Sequence, residues 1–367
     1  MSVLDAVSYV LPTPNYLRIP SAGVDVSDTS LKYILFEPDS YSGNKLQLKY
    51  WGDIDIADGA LSRGEVADVD ELSRVLKEVK SRTGVQHVRV SLPEERAYLF
   101  ETAIKRDTPY KEVRGLLEFK LEENVPLSPR DAYFDYHIFD EPSDSSQLMV
   151  GVTVYARETV NSYYEACRKA GVIPLSFEVE AQAIARASIA RGEQGTHMIV
   201  DFGKTRTGIG IVHRGELMYT STIDIGGKEL SNALRRQLGE LPEHELTDIK
   251  NTQGLVRGSK DSRVYEAIVS TMSAIKDEIT LRLQYWDSRA THTEDKYVDS
   301  VILCGGSCNL KGLPDYFTET LKIDTVRADV WQNALDIEED VPPIGRRYSY
   351  GYATAIGLAL TSFMQNL

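Results

Sequence analysis

Two rhythms of apolar residues alternate along this chain, and they predict different elements. In "DELSRVLKEVKSR", Leu72, Val75, Leu76 and Val79 recur at helical spacing and line one face of an amphipathic helix. A longer stripe, Val264, Ile268, Met272, Ile275, Ile279 and Leu283, predicts one side of a long helix with that side in a core. The stretches 109–124 and 157–170 also have helical spacing. By contrast, "VRVSLP", "RAYLFETAI", "AYFDYHIF" and "QLMVGVTVYA" alternate or run continuously apolar over short lengths, as strands do. "DEPSDSSQ" between the last two is a turn-rich connector. Val3, Leu4, Val7 and Val10 predict at most a short helix in a tail before the first strand.

One strand pattern occurs twice. "GVDVSDTSLKYILFE" (23–37) and "VDFGKTRTGIGIV" (200–212) each read Val-Asp, an apolar residue, a small residue, a polar turn and a return strand. The matching acids, Asp25 and Asp201, lie about half the chain apart, which is the mark of an internal duplication. The chemistry of such a pair is specific. Turn amides can point at phosphate oxygens, and small residues let backbone come close. Two facing hairpins would grip a polyphosphate, and their aspartates would hold Mg²⁺, mostly through water. Ser27, Asp28, Thr29, Ser30 and Lys32 of the first turn, and Gly203, Lys204 and Thr205 of the second, are the candidate contacts. A strand-ending aspartate alone often does no more than accept turn hydrogen bonds; it is the duplication that favours the cation reading.

A third stretch, "VILCGGSCNLKGL" (301–313), runs an apolar strand into Gly305, Gly306 and Ser307, with a helix to follow. Bare Gly-Gly backbone leaves room for a flat base.

Composition narrows the function classes. With 367 residues the chain can build two domains with their own cores. A net charge of −14 argues against broad nucleic-acid binding, while leaving local phosphate binding open. Three cysteines, Cys167, Cys304 and Cys308, form no CxxC pair, the histidines show no ligand spacing, and neither favours zinc. No run reaches the length of a membrane span, and the N-terminus is a poor signal peptide.

The ordered set of acid hairpin, acid hairpin and Gly-Gly-Ser turn resembles the actin-like ATPase superfamily, and within it the PilM family of cytoplasmic type IV pilus assembly proteins. "LLEFKLEENVPLSPRDAYFDYHIFD", "ACRKAGVIPLSFEVEAQAIARA", "IDIGGKELSNAL" and "AIKDEITLRLQYW" carry the likeness to that family. The resemblance implies an α/β, two-lobed, duplicated ribonuclease H-like fold with a small α/β subdomain inserted in the first lobe. It implies a tail over 1–22, a first-lobe core over 23–87 and an inserted 1C/SHS2-like module over 88–175. A connecting helix would follow over 176–193, then a second lobe over 194–346, mainly helical at 227–288, and a returning helix over 347–367.

The resemblance also carries function. It places ATP and Mg²⁺ between the lobes, with Glu178 at the acidic position of the first connecting helix and Gly357 at the close-packing position of the second. Gly226, Gly227 and Lys250 join the nucleotide contacts, the glycines as hinge or phosphate-side residues and the lysine near the nucleoside. Ser27 stands where a glycine is usual, Thr247 where an acid is common, and Leu281-Arg282 where Arg-Ser is usual. The expected partner is the cytoplasmic tail of an inner-membrane pilus protein like PilN, at the inner face of the cytoplasmic membrane; self-association stays open. Any ATP hydrolysis is expected to be slow, because no dedicated base is evident. The alternatives are an FtsA-like polymerising protein, for which no basic amphipathic helix is visible after the core, and a small-molecule kinase, for which no sugar-binding aspartate is visible.

Overall fold

The computed structural model describes residues 19–39, 45–139, 146–258, 261–289, 297–337 and 339–364. Most of the N-terminal tail and most of the "DEPSDSSQ" connector lie outside them.

Three antiparallel strands open the first lobe: β1 (Ser21–Val26), β2 (Ser30–Pro38) and β3 (Leu46–Asp55). A small hairpin, β4 (Leu61–Ser62) and β5 (Glu65–Val66), leads into helix α1 (Val69–Thr83) and strand β6 (His87–Leu92). Local chemistry sets the bounds of α1. Asp68 caps its start by accepting from the amides of Asp70 and Glu71, and Gly84 ends it in the left-handed region at φ 72°. Leu72, Val75, Leu76 and Val79 are all buried, each contributing about 1.5–3 kcal/mol of apolar burial.

A module of different make-up follows. It comprises β7 (Tyr98–Lys105), α2 (Tyr110–Asn124), β8 (Ala132–Ile138) and β9 (Gln147–Ala156), with its own three-stranded sheet in the order β7-β9-β8 and its own core. This sheet is narrower than the 88–175 read from the sequence. Residues at both ends of that range, in β6, helix α3 (Arg157–Ala170) and strand β10 (Ile173–Val179), pack in the first-lobe core. Short strands at a module boundary look alike in sequence, and only their pairing assigns them.

Helix α4 (Glu180–Ser188) then crosses to the second lobe. That lobe opens with β11 (Thr196–Phe202), β12 (Thr207–His213) and β13 (Glu216–Ile223). Three helices follow, α5 (Gly227–Leu238), α6 (Glu243–Thr252) and α7 (Ser262–Asp287). The chain returns through β14 (Ser300–Cys304), α8 (Leu313–Leu321) and β15 (Asp324–Arg327), then α9 (Arg346–Ser349) and α10 (Ala353–Leu360). The α7 stripe from Val264 to Leu283 is buried throughout, as its period predicts.

The duplication is visible in the sheets. The first lobe is ordered β3-β2-β1-β6-β10 and the second β13-β12-β11-β14-β15. In each, the first three strands in sequence are antiparallel and the remaining two pair parallel. Both sheets thus share one topology, and equivalent strand ends carry Asp25 and Asp201.

Two helices join the lobes by crossing closely. A Cβ at Gly357 of α10 would lie 1.7 Å from the Ala183 carbonyl oxygen of α4, and one at Gly23 of β1 would lie 2.1 Å from the Ala355 carbonyl oxygen. Only glycine permits those approaches.

Candidate functional site

The two acid hairpins have the same register. Asp25 pairs with Lys32 and Asp201 with Gly208, seven positions on in each case. Each turn closes the same way. Ser27 N–H donates to the Ser30 carbonyl at 2.9 Å, and Gly203 N–H donates to the Arg206 carbonyl at 3.0 Å. Ser27 replaces the usual glycine without strain: among described non-glycine residues, positive φ occurs only at Arg63, Arg214 and Lys322. Its hydroxyl instead staples the turn, donating to the Ser30 carbonyl (2.9 Å) and accepting from the Ser30 amide (3.2 Å).

The equivalent positions then diverge. Lys32 bonds the Ser30 hydroxyl at 2.9 Å and lies 3.5 Å from Asp53. Its counterpart Gly208 makes room: a Cβ there would sit 2.5 Å from Glu94 Oε2. Glu94 comes from the turn after β6 and is 3% exposed.

A cluster of carboxyl groups results. Burial raises Asp25 to about 6, against the opposing pull of Lys32 and a 3.3 Å hydrogen bond from the Ser91 hydroxyl. Asp201 is raised to about 7 by burial and by the charge of Asp25. Glu94 is raised to about 8 by burial and by Asp201. Glu180, the first residue of α4, is held well above the ordinary range by burial and by Asp25, Glu94, Asp201 and Asp28. The charge of Asp25 in the first hairpin is thus felt at Asp201 in the second, and both are felt at Glu180.

The Gly-Gly-Ser turn abuts the second hairpin. Gly305 has φ +82°, and a Cβ on it would lie 2.3 Å from Asp201 Oδ1. Ser307 Oγ donates to the Gly203 carbonyl at 2.9 Å. The Gly227 amide donates to the same carbonyl at 3.0 Å, and the Lys228 amide to the Lys204 carbonyl at 2.8 Å. Gly226 backs onto the Lys204–Arg206 backbone. The Lys250 amine bonds Ser231 Oγ at 2.8 Å and the Gly227 carbonyl at 3.4 Å, which ties α6 to the start of α5. Gly203, Gly226, Gly227, Lys250, Gly305 and Ser307 thus converge on one wall of the cleft. A Cβ on Gly351 would meet the Lys32 stem at 3.6 Å and the Gly306 backbone at 3.9 Å, a Cβ on Gly306 would meet open space, and Lys204 is exposed at the turn.

Glu178 does not join this cluster. It lies on β10, its carboxylate is 2.7 Å from Arg186 and 4.0 Å from Arg89, and it accepts from the Ser176 hydroxyl at 2.8 Å. The acid facing the aspartates is Glu180, two positions on. The strand runs through Val179, so of the two acids in "EVE" the helix opens on Glu180 and not on Glu178. An acid opening a helix straight after a strand, where the helix dipole favours it, was the available signal. Glu94 and Arg206 were also missed.

Beside β10, and lined in part by Glu178 and Arg186 themselves, a cavity of about 480 Å³ lies between the module and both lobes. Leu99 and Tyr133 line it from the module, Phe177 and Val179 from β10, and Leu217 and Met218 from β13. Two polar contacts tie the module to the second lobe: His137 Nδ1 lies 3.2 Å from the Glu216 carboxylate, and Arg289 pairs with Glu101 at 3.2 Å.

Two lobes of one duplicated topology, closing on paired acid hairpins and a Gly-Gly-Ser turn, define an actin-like ATPase fold. The model of the family described as type IV pilus assembly protein PilM matches residues 23–363, and the chain belongs to that family.

Solved structures agree on the fold. The PilM–PilN type IV pilus biogenesis complex superposes with a TM-score of 0.76 at 22% identity, covering 95% of this chain and 100% of that one. Ethanolamine utilization protein EutJ from Carboxydothermus hydrogenoformans gives 0.52 at 16% identity, over 95% and 90% of the two chains. MreB5 of Spiroplasma citri bound to AMPPNP gives 0.51 at 13% identity, over 86% and 93%. Among the described residues, no helix is long and apolar enough to cross a membrane.

Proposed function

We propose that this PilM-family chain is a nucleotide-dependent adaptor of pilus assembly, which binds Mg-ATP between its lobes and docks the cytoplasmic tail of a PilN-like inner-membrane protein. The observation that carries the nucleotide reading is the shared register of the Asp25 and Asp201 hairpins, with a Gly-Gly-Ser turn bonded to the second and packed against Asp201.

Two buried aspartates suit a Mg²⁺ held mostly through water, for among the described residues no three His, Cys, Asp or Glu side chains gather as a direct metal cage. Carboxyl groups that burial and mutual repulsion hold protonated ionise readily once a divalent cation lies between them. Asp25 and Asp201 would hold the hydrated ion, which would supply charge neutralisation of the phosphates. The amides and hydroxyls of Ser27–Ser30 and Gly203–Thr205 bind phosphate oxygens, Lys32 offsets charge, and Gly305–Ser307 receive the adenosine. Glu180 orders water beside the aspartates. Any hydrolysis is slow on this reading, because no residue of the cleft stands apart as a dedicated base for the attacking water.

The cavity beside the module suits an extended peptide, with apolar walls and the acids Glu101, Asp135 and Glu216 along them. Its walls come from both lobes, so nucleotide-driven lobe position would set its width. This arrangement holds the chain at the inner face of the cytoplasmic membrane through its partner. The test is native mass spectrometry of freshly purified protein, with and without a synthetic PilN-like tail. A bound adenine nucleotide with magnesium, and a one-to-one peptide complex, support the reading. A nucleotide-free chain that takes up neither ATP nor peptide contradicts it.

A further inference from the structure

Because the two hairpins share one register, residues that differ between them report what each turn adds. Arg206 stands where the first turn has Ser30, the residue whose carbonyl closes the turn. A small residue in one copy is thus a long cation in the other. The Arg206 guanidinium crosses the cleft. Nη2 lies 2.5 Å from Asp28 Oδ1 in the first turn, and Nη1 reaches the Glu95 carboxylate beyond β6. These side chains are 16–19% exposed, so the bridge is shielded from bulk water. Its acceptors are fixed in turn: Asp28 accepts from the Arg63 and Gly64 amides, each at 3.3 Å.

The surroundings make this cation consequential. Asp25, Asp28, Glu94, Glu95, Glu180 and Asp201 all approach the cleft, and Arg206 is the cation whose field reaches Glu94. A polyphosphate entering so acidic a space needs positive charge beyond one metal ion. Arginine suits that task. Its guanidinium carries five N–H donors in a planar fork, and two carboxylates do not exhaust them.

The side chain gives direction. The turn bonds its ends together, Gly203 to Arg206, and Ser307 of the Gly-Gly-Ser stretch holds the Gly203 carbonyl, but the Arg206 guanidinium reaches away from that contact to Asp28 of the opposite lobe. A nucleotide with its base at Gly305–Ser307 therefore runs its phosphate tail toward Arg206.

We propose that Arg206 recognises the terminal phosphate and sets a preference for nucleoside triphosphate over diphosphate, with Asp28 and Glu95 as the residues that position its guanidinium. This rests on the nucleotide reading above. The ordinary alternative is a cross-lobe ion pair that only steadies the closed form, which would affect both nucleotides alike.

Titration calorimetry of the full chain with Mg²⁺ separates these, using ADP and a non-hydrolysable ATP analogue on wild type, R206A and R206K. Loss of a charge-assisted hydrogen bond predicts about 10- to 100-fold weaker binding of the triphosphate to R206A, with the diphosphate changed several-fold less. R206K, which keeps charge but not the fork, should fall between wild type and R206A for the triphosphate. Equal weakening of both nucleotides, or no weakening, overturns the assignment. Thermal melts check folding; should R206A fail to fold, the same comparison on R206K decides. Wild type that binds neither nucleotide would instead overturn the nucleotide reading itself.

Discussion

Ser307 Oγ donates a 2.9 Å hydrogen bond to the Gly203 carbonyl, across 104 residues of chain. That bond joins the Gly-Gly-Ser turn to the second acid hairpin, so the stretch assigned to the base and the stretch assigned to phosphate form one surface. Gly227 completes it, since a Cβ there would lie 2.2 Å from Ser307 Oγ. Gly227→Ala should therefore push Ser307 off Gly203 and weaken nucleotide binding about tenfold, the scale of one displaced hydrogen bond with local overpacking. Calorimetry with Mg-ATP checks this, with a thermal melt to show that the fold persists.

The carboxyl cluster predicts a pH dependence of definite sign. Asp25, Asp201 and Glu94 sit at about 6, about 7 and about 8 in the folded chain, above their ordinary values. The folded state thus binds more protons than the unfolded state, and stability falls as pH rises through those values. The nucleotide-free protein should lose thermal stability from about pH 4, where these carboxylates ionise in the unfolded chain, up to about pH 8, and saturating Mg-ATP should flatten the slope. Asp201→Asn should reduce the slope without nucleotide and stabilise the chain by about 1–3 kcal/mol at the upper end. Thermal denaturation across that range checks both.

Glu178 predicts the opposite division of effects. Its pairing with Arg186 is 11–15% exposed, and Arg186 Nη1 also donates to the Gly357 carbonyl at 3.0 Å, tying β10 and α4 to α10. Glu178→Gln should cost about 2–4 kcal/mol by leaving Arg186 underpaired, with Mg-ATP affinity kept. Glu180→Gln should leave stability level or improved and lower any ATP turnover. Chemical denaturation and a phosphate-release assay separate the two acids.

Leu99 lines the cavity between the module and the lobes. Leu99→Asp should reduce binding of a PilN-like tail peptide by about tenfold or more, the scale of an anchor residue turned polar, and leave nucleotide affinity unchanged. Fluorescence anisotropy of a labelled peptide checks this.

What was legible in the sequence was what backbone rhythm encodes. Asp25 and Asp201 could be matched because a strand-turn-strand repeat carries its own period, and Gly305–Ser307 because glycines at a strand end mark close approach. The α7 stripe was legible for the same reason. Arg206, Glu94 and Glu180 were not, because no local pattern distinguishes them from ordinary charged residues. The fold brings them in from a turn end, a single turn after β6 and a helix start. Glu178 shows the cost of register: two acids two residues apart fall in a strand and a helix, and face different neighbours. The module boundary was hidden similarly, since β6 and β10 resemble the module's strands until pairing assigns them to the first-lobe sheet.

The central claim is that Asp25 and Asp201 share one magnesium-bound nucleotide between the lobes. Its most direct measurement is titration calorimetry of Mg-ATP into wild type, Asp25→Asn and Asp201→Asn, each shown to be folded by thermal melt. The account predicts saturable one-site binding to wild type, lost or weakened about 100-fold or more in both variants, as expected when a charged ligand to the ion is removed. Wild-type affinity retained in either variant would contradict it.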